Sequence, residues 1–233
     1  FYEMPGLMGR ICGICTISHM LASAQACETI MSVRVMGTAQ MLRKIVNYAS
    51  LLQSHALAFF LLASADFLLG MESDPAQRNL FGVMAANPEI ARDGVRLRGI
   101  GQGIIETLAS KKVHPEWIVA GGVASSMTEA QRKEILEVLP EAEEIILRTL
   151  GWFKRTMDDY REEVSVFGNF PSKFLALVNE HEEVLELYRG RLRMVDDHRN
   201  EIVDFHRDDY QEHIGEAVEP WSYLKFPYYK PDG

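Results

Sequence analysis

The run RICGICTISH, residues 10–19, decides which fold and which chemistry this chain is expected to have. It places Cys12 and Cys15 three positions apart, where the pattern changes from loop to helix, and His19 follows four positions after Cys15. On a helix that begins near Cys15, His19 lies one turn along on the same face. A helix N-terminus offers backbone N–H groups and a positive dipole end, which favour the thiolate form of a cysteine. We therefore expect two reduced thiols whose sulfur atoms point into one pocket.

Spacing alone leaves several interpretations of this cysteine pair open. A thioredoxin-like exchange motif follows a strand in a βαβ unit, whereas here no strand is predicted before the motif and long helices follow it. A closed structural zinc site needs four ligands, and no second Cys/His pair occurs at a suitable spacing. A cradle for a redox metal and a pair of incidental thiols remain. Sulfur atoms bonded to each other, or lying on separate faces, would overturn the metal-cradle interpretation.

The composition indicates an ordered globular protein. Hydrophobic residues make up 47% and charged residues 24% of the 233 positions, and the formal net charge is −9. This charge argues against nucleic acid or an anionic membrane as the main partner. Three closely spaced cysteines do not form a disulfide framework, so a reducing cytoplasm is the expected location. The most apolar run, residues 56–70, contains Asp66 and is too short to span a bilayer, and no signal peptide is visible.

Hydrophobic periodicity predicts four long helices. The first carries an apolar stripe at spacings of three and four, with small residues that would let it pack closely against a neighbour. The second is apolar on nearly every side after Leu51, as a buried helix is. The fourth opens at one of two overlapping capping boxes, Ser126 to Glu129 or Thr128 to Gln131. The helices are expected at residues 16–38, 39–68 and 88–110 and from the capping boxes to 167, and the stripe consists of Ala22, Ala26, Ile30 and Val33.

The hydrophobic pattern of the sequence changes after Pro171. Four short apolar runs, split by charged turns, predict a small antiparallel sheet. A short helix is expected near residues 208–214, followed by an aromatic tail. The predicted fold class is therefore mainly α, with long buried helices and a small antiparallel β appendage near the C-terminus. Residues 1–170 are expected to form a helical metal-site domain and residues 171–233 the β-rich appendage. The apolar runs are residues 173–178, 184–188, 191–197 and 201–205.

Several other residues could be mistaken for functional groups. His55 is predicted to be a hydrogen-bonded core histidine, and Cys27 a buried thiol of the helix core. The glycine-rich run of residues 99–103 lacks a preceding strand and has the wrong spacing for a dinucleotide site, so we expect it to serve close helix packing. The histidines among acidic residues near the C-terminus are expected on a solvated face. They are His181, His198, His206 and His213.

The run at residues 10–19 resembles the R-x-C-G-x-C-x-x-x-H signature of the large subunit of nickel–iron hydrogenases. Further segments resemble the same subunit in its cytoplasmic, NAD-linked branch, and they occur in the same order over nearly the whole chain. The resemblance implies a catalytic subunit that cleaves or forms dihydrogen. Heterolytic cleavage needs a Lewis-acidic metal and a nearby base for the proton, which in this family is a thiolate. The segments are residues 54–70, 73–82, 114–123 and 219–230.

The resemblance also implies a role for each residue of the motif. Cys12 is expected as a terminal thiolate on nickel, and Cys15 as the bridge between nickel and iron. His19 is expected to donate a hydrogen bond to the bridging sulfur, and Arg10 to lie beside the motif as a cation; such outer groups tune a metal. His114 belongs to a loop that approaches the metal pocket in the family. Soft thiolates suit both nickel and iron.

The family further implies cofactors and partners. The iron is expected to carry carbonyl and cyanide ligands, with a magnesium ion elsewhere in the full subunit. Iron–sulfur clusters, flavin and NAD are expected on partner subunits, namely diaphorase subunits and an iron–sulfur small subunit. The second cysteine pair of the family, in a D-P-C-x-x-C motif, does not occur in this sequence. The remaining metal ligands are therefore expected from a C-terminal part that this sequence does not contain.

Two other assignments stay open. One is a related hydrogenase subunit that feeds heterodisulfide reductase rather than NAD. The other is a metal-free scaffold subunit of the complex I type, which shares the fold. The intact residues Cys12, Cys15 and His19 argue against the scaffold.

Overall fold

The computed structural model describes residues 1–179, 181 and 184–232. It divides into two compact units, Phe1–Arg161 and Glu162–Gly233. The first unit is built from helices and one short hairpin, and the second from antiparallel strands with short helices. A mainly helical chain with small antiparallel sheets is the fold class that the sequence predicts.

The helices of the first unit occur in the predicted order. Two short helices that were not predicted are added, one before the first predicted helix and one before the third. The first predicted helix ends at Met31 rather than at residue 38, because Ser32 adopts a left-handed conformation (φ of 53°) that stops it. The described helices are α1 (Met4–Gly9), α2 (Thr16–Met31), α3 (Gly37–Ala56), α4 (Ser64–Leu69), α5 (Leu80–Ala86), α6 (Pro88–Ala109) and α7 (Glu129–Asp159), with the hairpin strands β1 (Ile118–Val119) and β2 (Gly122–Val123) between α6 and α7.

Helix α3 continues through a π-helical segment, Leu57–Ala63, directly into α4. The resulting stretch of 33 residues, Gly37–Leu69, is long and apolar enough by composition to cross a membrane, a test that core helices also pass. The length argument from residues 56–70 is therefore wrong, because that run and α3 form one helix. Of its most apolar window 28% is buried, and Leu62 is 71% exposed. The described residues thus do not cover this helix on every side, so the prediction that it is buried within the chain is wrong.

Helix α7 packs against this long helix through a series of aromatic rings. Phe59 contacts Trp152 and Phe153 with ring centroids 5.8 and 5.4 Å apart. Phe67 contacts Phe153 and Tyr160, each at 5.8 Å. All four pairs are close to perpendicular, the edge-to-face arrangement that contributes about 0.5–1.5 kcal/mol per pair beyond buried area. These contacts fix α7 along the π-helical segment and α4.

The start of α7 uses the second of the two predicted capping boxes. Thr128 Oγ1 accepts a hydrogen bond from the N–H of Gln131 at 3.2 Å, and Gln131 Oε1 accepts one from the N–H of Thr128 at 2.8 Å. Both backbone donors, which the helix itself leaves unpaired, are thereby satisfied. At the other end α7 stops at Asp159, and α8 (Arg161–Val166) follows as a separate short helix.

Glycine at position 101 lets α3 and α6 approach closely, as the packing prediction for residues 99–103 requires. A Cβ atom on Gly101 would lie 2.7 Å from the carbonyl oxygen of Ala49 and 2.9 Å from Cβ of Gln53. A Cβ atom on Gly99 or Gly103 would meet nothing within 4 Å. Of the three glycines, the middle one therefore carries the close contact.

We expect Gly101→Ala to lower the free energy of unfolding by about 1–3 kcal/mol, the usual cost of overpacking against a backbone that cannot move aside. The matched control is Gly103→Ala on the same helix. It should raise the free energy of unfolding by roughly 0.5–1 kcal/mol, because alanine loses less conformational entropy in a helix. Urea unfolding followed by circular dichroism measures both variants. Equal stabilisation by the two substitutions would contradict the close contact at Gly101.

The second unit consists of a three-stranded sheet and a hairpin. The elements are β3 (Phe174–Val178), β4 (Arg191–Val195), β5 (Glu201–His206), α9 (Tyr210–His213), β6 (Ile214–Val218) and β7 (Lys225–Tyr229). In the sheet, β4 lies between β3 and β5, and all pairs are antiparallel. The predicted strand at residues 184–188 does not form; Leu185 makes an isolated bridge to Val178. The predicted short helix forms as one 3₁₀ turn followed by α9, and the aromatic tail supplies β7, which pairs with β6 in the hairpin.

Some side chains are placed differently from the sequence predictions. Cys27 is buried, at 5% exposure, as predicted. His55 is exposed and its Nδ1 lies 2.9 Å from the carbonyl oxygen of Leu51, so the prediction of a core histidine is wrong. His213 is half-buried and stacks on Phe205 with ring centroids 4.1 Å apart, and does not lie on a fully solvated face.

The apolar stripe of α2 is also exposed. Ile30 is 68% exposed, and Ala22, Ala26 and Val33 are exposed as well. The face that does pack contains Met20, fully buried, together with Ile17, Leu21, Ala24 and Cys27. Among the described residues, the stripe is therefore not the packed face of α2.

Candidate metal centre

The two cysteines of the motif lie in the loop between α1 and α2, and Cys15 is the residue immediately before α2. His19 lies in the first turns of α2. One ligand atom from each of Cys12, Cys15 and His19 lies within 4.8 Å of the others, and all three side chains are half-buried. Among the residues that the structure describes, this is the one cluster of at least three His, Cys, Asp or Glu side chains that could hold a metal ion. The predicted convergence on one pocket is thus present.

The structure joins Cys12 and Cys15 as a disulfide, so the prediction that both thiols are reduced is wrong. The backbone that directs both cysteines into one pocket brings their Cα atoms to 5.5 Å, a usual separation for disulfide-bonded residues. This result counts against a metal cradle in the oxidised state, because a thiolate is the form that binds metal. A metal cradle made from these residues would require the reduced form.

The backbone of the cysteine loop is held by side chains from two helices. Thr16, at the start of α2, donates its hydroxyl to the carbonyl oxygen of Cys12 at 2.6 Å. Gln53, from the last turn of α3, donates its side-chain amide to the carbonyl oxygen of Ile14 at 3.0 Å. In addition, the N–H of Cys15 lies 3.1 Å from Sγ of Cys12, where it would stabilise negative charge on that sulfur once the disulfide is reduced. These hydrogen bonds thus hold the backbone between Cys12 and Cys15.

The imidazole of His114 contacts a backbone carbonyl beside the motif and the hydroxyl of Thr16, and no contact with the cysteine sulfur atoms is described. Its Nδ1 lies 3.1 Å from the carbonyl oxygen of Gly9 and 3.3 Å from Oγ1 of Thr16. A carbonyl oxygen only accepts hydrogen bonds, so the contact with Gly9 assigns the proton to Nδ1. His114 itself adopts a left-handed backbone conformation with φ of 50°, which turns the loop towards α1. The loop that carries His114 is therefore bound to the start of the motif.

Arg10 makes its hydrogen bonds on the outer side of the loop. It donates to the carbonyl oxygen of Gly6 at 2.8 Å and to Oε1 of Glu116 at 3.0 Å. The hydrogen bond from Arg10, together with the positive charge of Lys111, holds the pKa of the exposed Glu116 carboxyl below its usual value. Neither partner of Arg10 is a cysteine sulfur. In this structure Arg10 connects the motif to the loop that carries His114.

A buried ion pair, which the sequence does not reveal, fixes the hairpin that follows this loop. The Arg43 side chain is fully buried and donates to both carboxylate oxygens of Glu28, at 2.5 and 3.3 Å. Each ion comes from a different helix, and backbone groups of the hairpin satisfy the remaining hydrogen-bonding atoms. Arg43 donates to the carbonyl oxygens of Val119 and Gly122, and Glu28 accepts from the N–H of Gly121. The pair thus joins α2, α3 and the β1–β2 hairpin.

Comparison with known proteins places this cluster in a family. Residues 3–79, which include the cysteine loop and α2, match the model of the nickel-dependent hydrogenase family. The whole chain is 37% identical over 245 residues to the beta subunit of the NAD-reducing hydrogenase HoxS of Cupriavidus necator, covering 50% of that subunit. The chain belongs to the nickel-dependent hydrogenase family. The family assignment made from residues 10–19 is thereby confirmed.

Other hydrogenases are similar to a comparable degree. In the F420-non-reducing hydrogenase vhu of Methanocaldococcus jannaschii, the matching subunit is 35% identical over 99% of this chain and 55% of its own length. Among solved structures, the crystal structure of an NAD⁺-reducing nickel–iron hydrogenase in its H2-reduced state superimposes with a TM-score of 0.95 at 38% identity, over 100% of this chain and 52% of that one. A nickel–iron–selenium hydrogenase of Dm. baculatum matches at 0.77 and 18% identity, which shows the fold alone.

This hydrogenase-family chain spans about half the length of the relatives that it matches. The shared half contains the cysteine loop, the long α3–α4 helix and the β-rich unit. A nickel–iron centre is characteristic of the family, and the Cys12–Cys15 pair lies in the part of the fold that this chain contains.

Proposed function

We propose that this chain is part of the catalytic large subunit of a nickel–iron hydrogenase that cleaves or forms dihydrogen. The observation that carries the proposal is the convergence of Cys12, Cys15 and His19 at the start of α2. It occurs in a chain whose whole length matches an NAD⁺-reducing nickel–iron hydrogenase with a TM-score of 0.95. A metal-free scaffold of the complex I type has no use for such a cluster, so the cluster supports the enzyme over the scaffold.

The donor set fits one side of a nickel–iron centre. Two cysteine sulfurs are the soft ligands that such metals prefer once the disulfide is reduced. Cys12 and Cys15 would hold the nickel–iron centre through their sulfur atoms. His19 would orient and polarise the sulfur of Cys15, and Arg10 would be an outer cation that acts through the loop. The remaining ligands, the carbonyl and cyanide groups on iron and a magnesium ion are proposed for the full-length subunit.

The residues of the chain prepare the thiolates for that role. The N-terminal dipole of α2 and the N–H of Cys15, which points at Sγ of Cys12, both favour negative charge on sulfur. When bound, the nickel–iron centre supplies Lewis acidity for the heterolytic cleavage of dihydrogen. A cysteine Sγ of the loop can hold the released proton, because it is basic as a thiolate and half-buried. His114 and Thr16 keep the loop backbone in place meanwhile.

The proposed electron acceptor is NAD, reached through diaphorase subunits and an iron–sulfur small subunit, which carry iron–sulfur clusters and flavin. The similarity to an NAD-reducing subunit and to an NAD⁺-reducing structure supports this branch. The F420-non-reducing relatives, at 35% identity, keep a hydrogenase coupled to heterodisulfide reductase as the second candidate. A cytoplasmic location, without nucleic acid or a membrane span, completes the proposal.

We expect the 233-residue chain alone to bind little nickel and to show no hydrogen-dependent dye reduction. The full-length subunit with its small subunit should bind nickel and reduce the dye with hydrogen. The chain offers one cysteine pair, and large apolar side chains such as Leu62 stay exposed, so it should also associate. Nickel analysis and light scattering after anaerobic purification measure these properties. A monodisperse, nickel-loaded, active monomer of these residues would refute the prediction, and a full-length subunit without nickel would favour the scaffold.

A further inference from the structure

Gln53 is the one side chain of α3 with a described hydrogen bond to the cysteine loop. It is 5% exposed, and its amide nitrogen lies 3.0 Å from the carbonyl oxygen of Ile14. Ile14 is the residue directly before Cys15, so a hydrogen bond to its carbonyl fixes the peptide plane that leads into Cys15. The contact is part-buried, so removing the amide replaces a fixed hydrogen bond of the loop by a contact with water at best.

The position of Gln53 is in turn determined by helix packing. Gly101 of α6 lies against Gln53, since a Cβ atom at position 101 would come within 2.9 Å of both Cβ and N of Gln53. The close approach of α6 leaves the Gln53 side chain little freedom, and so its amide is preorganised towards the loop. Distant packing between α3 and α6 is thereby connected to the conformation of the cysteine pair.

We propose that Gln53 is a positioning residue for the Cys12–Cys15 pair, which holds both sulfur atoms in the pocket by fixing the carbonyl of Ile14. The consequence of this positioning for nickel binding rests on the proposed function. The consequence for the two thiols does not, because thiol–disulfide exchange reports directly on how well the two sulfur atoms are held together. The two consequences can therefore be measured separately.

The test compares Gln53→Met with Gln40→Met in the full chain. Methionine keeps the length and helix propensity of glutamine but removes the amide donor. Gln40 is a matched control, because it lies on the same helix and donates its amide to the carbonyl oxygen of Val35 at 2.9 Å, outside the cysteine loop. Gln53→Asn, which keeps the amide but is one methylene too short to reach Ile14, is the second variant if Gln53→Met fails to fold.

The readout is the equilibrium constant for Cys12–Cys15 disulfide formation in glutathione buffers, determined by alkylation and mass spectrometry. In this exchange the two thiols lose two electrons and two protons to form one S–S bond, and oxidised glutathione takes them up as two thiols. We expect the constant to fall about fivefold in both Gln53 variants, the factor that corresponds to one net hydrogen bond of about 1 kcal/mol. Gln40→Met should stay within about twofold of the parent, well below that factor.

Constants for the Gln53 variants that equal those of Gln40→Met would overturn the inference. In the full-length subunit, Gln53→Met should also weaken nickel binding about 10- to 100-fold, as other losses of outer hydrogen-bond partners do. A parent subunit that holds no nickel would contradict the proposed function. The disulfide constants would then still decide whether Gln53 positions the thiols.

Discussion

Cys12→Ser or Cys15→Ser in the full-length subunit should abolish nickel retention and hydrogen uptake while the helices stay folded. Serine nearly preserves the volume of the side chain but removes the soft thiolate, so the loss is chemical rather than structural. Both side chains are half-buried at a loop, where such a change leaves the packed face of α2 intact. Nickel analysis, hydrogen-dependent dye reduction and circular dichroism measure the three properties.

The chain offers a matched control for these variants. Cys27→Ser makes the same substitution on α2 at a buried thiol outside the cluster, and it should retain nickel. His19→Ala should be milder than either loop variant, with metal affinity or activity reduced about 10- to 100-fold, because it removes an outer partner and no ligand. Equal nickel content in Cys12→Ser, Cys15→Ser and the parent would refute the assignment of the metal ligands.

Breaking the buried Glu28–Arg43 pair should cause the largest loss of stability. We expect Arg43→Met to lower the free energy of unfolding by about 3–5 kcal/mol, because it leaves the Glu28 carboxylate buried without its partner ion. The carbonyl oxygens of Val119 and Gly122 also lose their donor. Denaturant unfolding measures the effect, and the hairpin that follows the His114 loop should lose its protection against hydrogen exchange first.

Two further variants test whether the loss of stability arises because the Glu28 carboxylate stays buried without a partner, rather than from the removal of an ion pair as such. Arg96→Met removes one partner of the exposed pair with Glu141 and should cost at most about 1 kcal/mol, as exposed pairs do. The double variant Arg43→Met/Glu28→Leu should recover part of the loss, since neither buried charge remains. An Arg43→Met chain within about 1 kcal/mol of the parent would contradict the structural role of the pair.

The sequence predicts the metal cluster well because its geometry is local. Cys12, Cys15 and His19 lie within eight positions, so a helix that begins after Cys15 suffices to bring them together. The partners that hold the loop are distant in sequence. Gln53 lies 39 positions from Ile14, and His114 lies 105 positions from Gly9. Contacts of that separation depend on how helices cross, which periodicity does not contain.

Burial is harder to predict than helix formation. The stripe that includes Ile30 and Val33 follows helical spacing, yet it is exposed, while the charged residues Glu28 and Arg43 are buried. Apolar spacing identifies a face that can pack, but the structure decides which face finds a neighbour within the chain. A buried charged pair gives no apolar signal at all, and its cost is offset by hydrogen bonds that only the fold supplies. The oxidation state of Cys12 and Cys15 likewise could not be read from their spacing.

The most direct test of the account is nickel X-ray absorption of the anaerobically reduced full-length subunit, compared with its Cys12→Ser variant. The account predicts nickel bound by cysteine sulfur in the parent, and loss of bound nickel in the variant. Nickel coordinated by nitrogen and oxygen alone in the parent, or an unchanged sulfur environment in Cys12→Ser, would contradict the claim that the loop between α1 and α2 carries half of a nickel–iron centre.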